Sequence, residues 1–256
     1  MPPPTTSTAF GKGYDVQSAR EKPSVEIELT KTNDMETNIV QETLEKGVKK
    51  LYDKLEAELP EIQKCYDADD VTTFIAQCGR DYTLKKNNGI VFYGRSNNGW
   101  NPEEPLTMDD VVNYSGSPFF NLMHKISEHF YPEKWNTHVV WSNICKVVPA
   151  STGNPTEALW DAQYFHMVDI LNKEMEILSP KVVIFVTGNV SEHWDAPLFE
   201  KNDLKEHLVE EVMWAENGRT TLYKKNGRLY LITDRPEFRV LQPHVDCIID
   251  MIERNK

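Results

Sequence analysis

The chain has 256 residues, 39% of them hydrophobic, and a formal net charge of -12 from 28 lysines and arginines against 40 aspartates and glutamates. That size and apolar content suit one main domain with its own core, while the acidic balance excludes a protein whose whole surface traps polyanions. Cys65, Cys78, Cys145 and Cys247 are scattered without C-x-x-C spacing, no apolar run reaches the roughly 18 residues of a membrane helix, and MPPPTTSTAF lacks the order of a secretory signal, so a cytoplasmic, reducing setting without membrane association is expected.

Residues 1–35 are rich in Pro, Thr, Ser and charge without apolar periodicity and are expected to form a flexible N-terminal arm, ahead of a single domain over 36–256. From Asn38, the spacing of Leu44, Val48, Leu51, Leu55 and Leu59 lays one apolar stripe on a helical extension that Pro60 is expected to end. The polar run DADD (67–70) suggests the cap of a second helix through Val71, Phe74 and Ile75. GIVFYG (89–94) is short, apolar and closed by glycine, and RSNNGWNPEEP (95–105) offers turn residues without periodicity: a strand, then a long loop. A helix is predicted over Pro118–His129, with Phe119, Leu122, Met123 and Ile126 on one face. HVVWSN (138–143) reads as the second strand, followed by a loop through Gly153-Asn154-Pro155. The helix from Glu157 turns Tyr164, Val168, Leu171, Met175 and Leu178 inward and stops before Pro180, and KVVIFVTG (181–188) is the third strand. In TTLYKK-NG-RLYLIT, Asn226-Gly227 between alternating segments signals a two-residue hairpin, and a last helix is expected near Pro243 to Arg254.

Strands alternating with helices imply parallel pairing with right-handed crossovers. The expected class is α/β: a three-layer α/β/α sandwich with a small, mostly parallel central sheet and a local β-hairpin near the C-terminus. Ligands of open α/β sheets gather at the carboxyl ends of strands, which points to Gly94, Asn143 and the loops that follow them. Within an acidic chain, 219–239 forms a local basic segment, holding Arg219, Lys224, Lys225, Arg228, Arg235 and Arg239 against Asp234 and Glu237.

The run Asn143-Ile144-Cys145-Lys146, then Gly153-Asn154-Pro155-Thr156, a helix, and Leu178-Ser179-Pro180-Lys181-Val182-Val183-Ile184 ending at Gly188 resembles the uracil-DNA glycosylase superfamily, above all its iron-sulfur branch. The likeness covers residues 88–254 and is specific over 141–188. It implies a small parallel sheet sandwiched by helices. It also implies a protein that binds a flipped or single-stranded base in DNA and hydrolyses the N-glycosidic bond of uracil or a related damaged base. Two motifs depart from the pattern. Gly94-Arg95-Ser96-Asn97-Asn98-Gly99-Trp100 has no carboxylate or proline at the matching points, and Asp234-Arg235-Pro236-Glu237 stands where a His-Pro-Ser belongs. The cysteines lack the branch's paired spacing, so no cluster or other cofactor is expected.

On this resemblance Asn143 would bond the base edge, since an amide offers a donor and an acceptor together, with Gly94 and Arg95 bordering the base. Arg235 would stabilise the anionic leaving base as a fixed cation, and Ser96 and Asn97, beside Asn98, would position water. Phe119, or Tyr93, Trp100 or Phe120, would give the base an aromatic floor. Lys146, Arg228 and Arg239 would hold flanking phosphates. Arg95 to Asn98, Asn143 and Arg235 are then expected to border one pocket wide enough for a pyrimidine.

Plainer roles stand beside these. Asn at a strand end also bonds its own loop, surface arginines are commonly ion-paired, and aromatic residues commonly anchor cores. The hairpin lysines suit the blunting of an exposed edge. His124 and His129 are five apart and the other histidines isolated, so no metal site is expected. Neither a G-x-S-x-G elbow nor a P-loop occurs. The alternative function is a catalytically inactive member of the fold that binds nucleic acid or a basic protein partner, for which the negative charge is suited. A nucleoside or nucleotide glycosidase is a third.

Overall fold

Asn38 caps the first helix, its side-chain oxygen accepting from the Gln41 N–H at 3.1 Å. The computed structural model describes residues 38–64, 71–85, 88–96, 106–113, 116–149, 155–188 and 204–256. The expected N-terminal arm lies outside these residues. Helix α1 (Ile39–Lys64) buries Val40, Leu44, Val48, Tyr52, Leu55 and Ile62. Pro60 does not end it. A proline removes one backbone bond and crowds the preceding turn, but Pro60 is on the exposed side, and the burial of Ile62 holds the last turn in place.

No second helix follows over 71–75. Instead, β1 (Val71–Thr73) pairs antiparallel with β5 (Val147–Pro149), and β2 (Gln77–Cys78) pairs antiparallel with β4 (Val139–Asn143). Val71, Thr72 and Thr73 are β-branched and suit a pleated surface, and a partner strand far along the chain settles the choice that their spacing left open.

The strands β3 (Ile90–Gly94), β6 (Val182–Val186), β7 (Leu208–Ala215), β8 (Gly218–Lys225) and β9 (Arg228–Thr233) join β2 and β4 in one seven-stranded sheet of order β2-β4-β3-β6-β9-β8-β7. The central four, β4-β3-β6-β9, run parallel, while β2, β8 and β7 pair antiparallel with their neighbours. The sheet is therefore mixed, and wider than the small, mostly parallel one expected. Asn226 and Gly227 make the predicted turn with φ of 53° and 78°, as a type I′ hairpin requires. The hairpin is not a separate ribbon: β9 continues the parallel block and β8 extends it to β7.

Helices α2 (Met108–Val111), α3 (Pro118–Phe130), α4 (Trp135–His138), α5 (Glu157–Leu178) and α6 (Leu241–Asn255) complete the described elements used below. Ser117 and Thr156 cap α3 and α5 by accepting from the N–H three residues on, and α5 stops at Ser179, whose φ of 44° cannot continue a helix. Val91, Tyr93, Val183, Phe185, Tyr230 and Ile232 join a core with residues of α1 and α5. Their alternates Ile90, Phe92, Val182, Ile184, Leu229 and Leu231 join a second core with α3 and α6. Burial of both faces explains why these strands read as unbroken apolar runs. Among the described residues no helix is long and apolar enough to cross a membrane.

Candidate functional site

Four parallel strands deliver their carboxyl ends to one rim. Gly94 on β3 is in register with Asn143 on β4, and Val186 on β6 with Thr233 on β9. Ile144 and Cys145 donate their N–H groups to the carbonyls of Gly94 and Arg95 at 2.9 and 3.0 Å, zipping the loops after β4 and β3 together. A side chain at Gly94 would meet Asn143 Oδ1 at 2.6 Å and the Phe119 ring at 3.5 Å, so Gly94, Asn143 and Phe119 form one tight corner. From there Arg95 Nε donates to the Thr187 carbonyl just past β6.

Beyond Thr187 the rim opens into a pocket of about 510 Å³, lined by Arg95, Gly188, Asn217, Asp234, Arg235, Glu237, Phe238 and Arg239. That volume lies within the range of small-molecule sites, about 300–1,000 Å³. Two of the expected residues, Arg95 and Arg235, thus meet there, and Arg239 joins them. Arg235 holds Glu237 with both arms, Nε to Oε2 at 3.1 Å and Nη2 to Oε1 at 2.6 Å. Arg239 Nη1 donates to the Arg235 carbonyl. Asp234 accepts from the Arg219 N–H at 2.8 Å through Oδ2. Phe238 is fully exposed, at 108%, with a φ of 61°.

Asn143 does not line this pocket. It is only 1% exposed, and β3 and β6 stand between it and β9, a backbone separation of about 14 Å at the usual strand spacing. Asn143 and Arg235 share a rim and do not border one slot. Ser96 is half-buried beside Arg95 and is not among the described lining residues, and Asn97, Asn98 and Trp100 lie outside the described residues.

Two expected phosphate contacts are corrected. Lys146 is fully buried, its ammonium 2.8 and 2.9 Å from the two Glu174 oxygens and 2.9 Å from Ser142 Oγ. Burial drives its pKa below the usual lysine value, with Glu174 opposing that shift. An ammonium closed off in this way meets no phosphate. Arg228 starts β9 while Arg235 follows its end, so the two are on opposite poles of the sheet, about 20 Å apart along the strand. Arg228 donates from Nε to the Pro180 carbonyl at 2.8 Å and lies over the Tyr230 ring.

His244 escaped the sequence reading because it is isolated in the chain. On α6 it is closed off from solvent, with Nε2 2.6 Å from Thr233 Oγ1, one residue before Asp234. It stacks on Trp214 with ring centroids 4.0 Å apart, and among the described residues neither His244 Nδ1 nor Trp214 Nε1 has a hydrogen-bond partner. Burial, with the Arg239 charge second, lowers its pKa to about 3, so the ring is neutral near pH 7. Asp234, Glu237 and Phe238 were also missed, although they share the run Asp234-Arg235-Pro236-Glu237-Phe238-Arg239 with the expected arginines; adjacency was the signal available.

Among the described lining residues three guanidinium groups stand against two carboxylates, a net positive lining, beside the exposed ring of Phe238. Among the described residues no group of three His, Cys, Asp or Glu is placed to hold a metal ion. No protein-family model matches the sequence, and no curated protein matches it either.

Proposed function

We propose that this chain is a divergent member of the uracil-DNA glycosylase superfamily that engages a flipped or single-stranded nucleotide of DNA at the carboxyl rim of its parallel strands. The observation that carries it is the convergence of Arg95, Arg235 and Arg239 on one pocket beside the exposed Phe238. Fixed guanidinium groups suit phosphate oxygens and the negative charge of a departing base. Stacking on Phe238 is worth about 1–3 kcal/mol per base. Asp234 supplies the negative charge that a sugar developing positive charge requires. The Asn143 corner, 1% exposed and about 14 Å along the rim, stands outside this contact. A three-layer α/β/α sandwich belongs to the same proposal; the parallel block β4-β3-β6-β9, with α1 and α5 packed on one set of residues and α3 and α6 on the other, supports it.

Fluorescence anisotropy with a labelled single-stranded oligonucleotide tests the binding. Affinity at low salt should fall steeply as salt rises and should be lost when Arg95→Ala and Arg235→Ala are combined. Absence of binding at low salt to single-stranded and mismatched duplex DNA alike overturns the proposal. Incubation with uracil-, hypoxanthine- and mismatch-containing oligonucleotides, followed by alkali, reads base excision.

One observation favours the catalytically inactive alternative: the guanidinium standing where a histidine belongs is held by Glu237. On that reading binding persists and alkali produces no strand breaks.

A further inference from the structure

We propose that Glu237 is a built-in competitor for the Arg235 fork, and that a phosphate of a single-stranded nucleic acid enters the pocket by displacing it. The proposal rests on the nucleotide reading above and assigns the regulation of that site.

The geometry of the pair is that of ligand recognition. Two parallel contacts, Nε to Oε2 at 3.1 Å and Nη2 to Oε1 at 2.6 Å, present a carboxylate edge to the guanidinium plane. Two oxygens of a phosphate dock on the same fork in the same way. Glu237 thus occupies the position an incoming oxyanion would take. Both partners are part-exposed, Arg235 at 38% and Glu237 at 28%, so solvent or ligand can reach the pair.

The turn that carries Glu237 is poised to move. Arg239 N–H donates to the Pro236 carbonyl at 3.2 Å, closing a tight turn whose third residue, Phe238, has a φ of 61°. An aromatic residue in the left-handed region is strained, and its exposed ring gains no burial to hold it there. A rearrangement that withdraws Glu237 can relieve that strain. Once Glu237 leaves, Asp234 is the one carboxylate remaining among the described lining residues, and one of its oxygens already accepts from Arg219. Displacement therefore leaves the pocket more positive at the moment an anion arrives.

A double-mutant cycle in the full chain tests this, with a 5′-phosphorylated oligonucleotide, its 5′-hydroxyl counterpart and inorganic phosphate as probes. Glu237→Gln should bind single-stranded DNA about fivefold more tightly, the upper range for freeing a part-exposed ion pair. Its plot of log affinity against log salt should keep the wild-type slope, since the same phosphate meets Arg235 in both proteins. In an Arg235→Ala background the same substitution should bring no gain. A gain with both oligonucleotides assigns the fork to a backbone phosphodiester, and a gain confined to the 5′-phosphorylated strand assigns it to a terminal phosphate. Inorganic phosphate should compete better against Glu237→Gln than against the wild type. An equal gain in both backgrounds makes the effect one of general charge and overturns the proposal. Wild-type binding with no gain in Glu237→Gln overturns it while the nucleotide reading stands. Failure of every oligonucleotide, with phosphate still binding Glu237→Gln more tightly, overturns the nucleotide reading and leaves the competitor in place.

Discussion

Lys146 Nζ lies 2.8 Å from Glu174 Oε1 with both side chains closed off from solvent. Ser142 Oγ and Tyr93 OH complete the cluster by donating to Glu174 Oε2 at 3.1 and 3.2 Å. Two charges taken out of water are tolerated only because each satisfies the other, so removing one strands its partner. Lys146→Met should cost about 3–5 kcal/mol, and the double variant Lys146→Met, Glu174→Leu should recover most of that loss. Urea denaturation of the four proteins of the cycle measures it. A double variant no more stable than the single one would show that the pair does more than neutralise itself.

Gly94 and Asn143 are register partners, and a methyl group at Gly94 would meet Asn143 Oδ1 at 2.6 Å in a corner closed by Phe119. Gly94→Ala should therefore destabilise the fold by about 1–3 kcal/mol, as overpacking does. Adding Asn143→Ala clears the obstructing atom, so the alanine at 94 should cost less in that background. Equal costs in both backgrounds, read from denaturation midpoints, would mean that the corner yields in some other way.

His244 is neutral in the folded protein because burial lowers its pKa from 6.5 to about 3. The unfolded chain binds a proton between those values and the folded one does not. Its contribution is therefore complete above about pH 6.5 and lost as pH falls toward about 3. Between about pH 7 and about pH 4, wild-type stability should fall more steeply than that of His244→Asn, which has no proton to take up. Parallel slopes would place the acid sensitivity in other groups.

Phe238 contributes no burial and has a φ of 61°. Glycine adopts that conformation without a clash, offset by the greater freedom of its unfolded chain. Phe238→Gly should leave stability unchanged or raise it by up to about 1 kcal/mol, while weakening single-strand binding by about 1–3 kcal/mol. A lower melting temperature would show that the ring packs after all, and unchanged affinity would remove it from the binding surface.

What the amino-acid order determined by itself was local. The apolar runs at 90–94, 139–143 and 182–186, the helical stripes of α3, α5 and α6, and the Asn226-Gly227 turn were all legible, because spacing and turn chemistry act over a few residues. The tertiary structure decided which pairings and burials those pieces enter. Val71–Thr73 became a strand because a partner at Val147–Pro149 met it, and β7 was not anticipated because Leu208, Val209 and Met213 point outward on an edge. Lys146 and Arg228 looked like phosphate ligands by charge alone; Glu174 drew one into the core, and the hairpin turned the other to the opposite pole. Arg95 and Arg235 meet because parallel strands bring distant segments to a single rim, a relation that requires the sheet order and cannot be read from position in the chain.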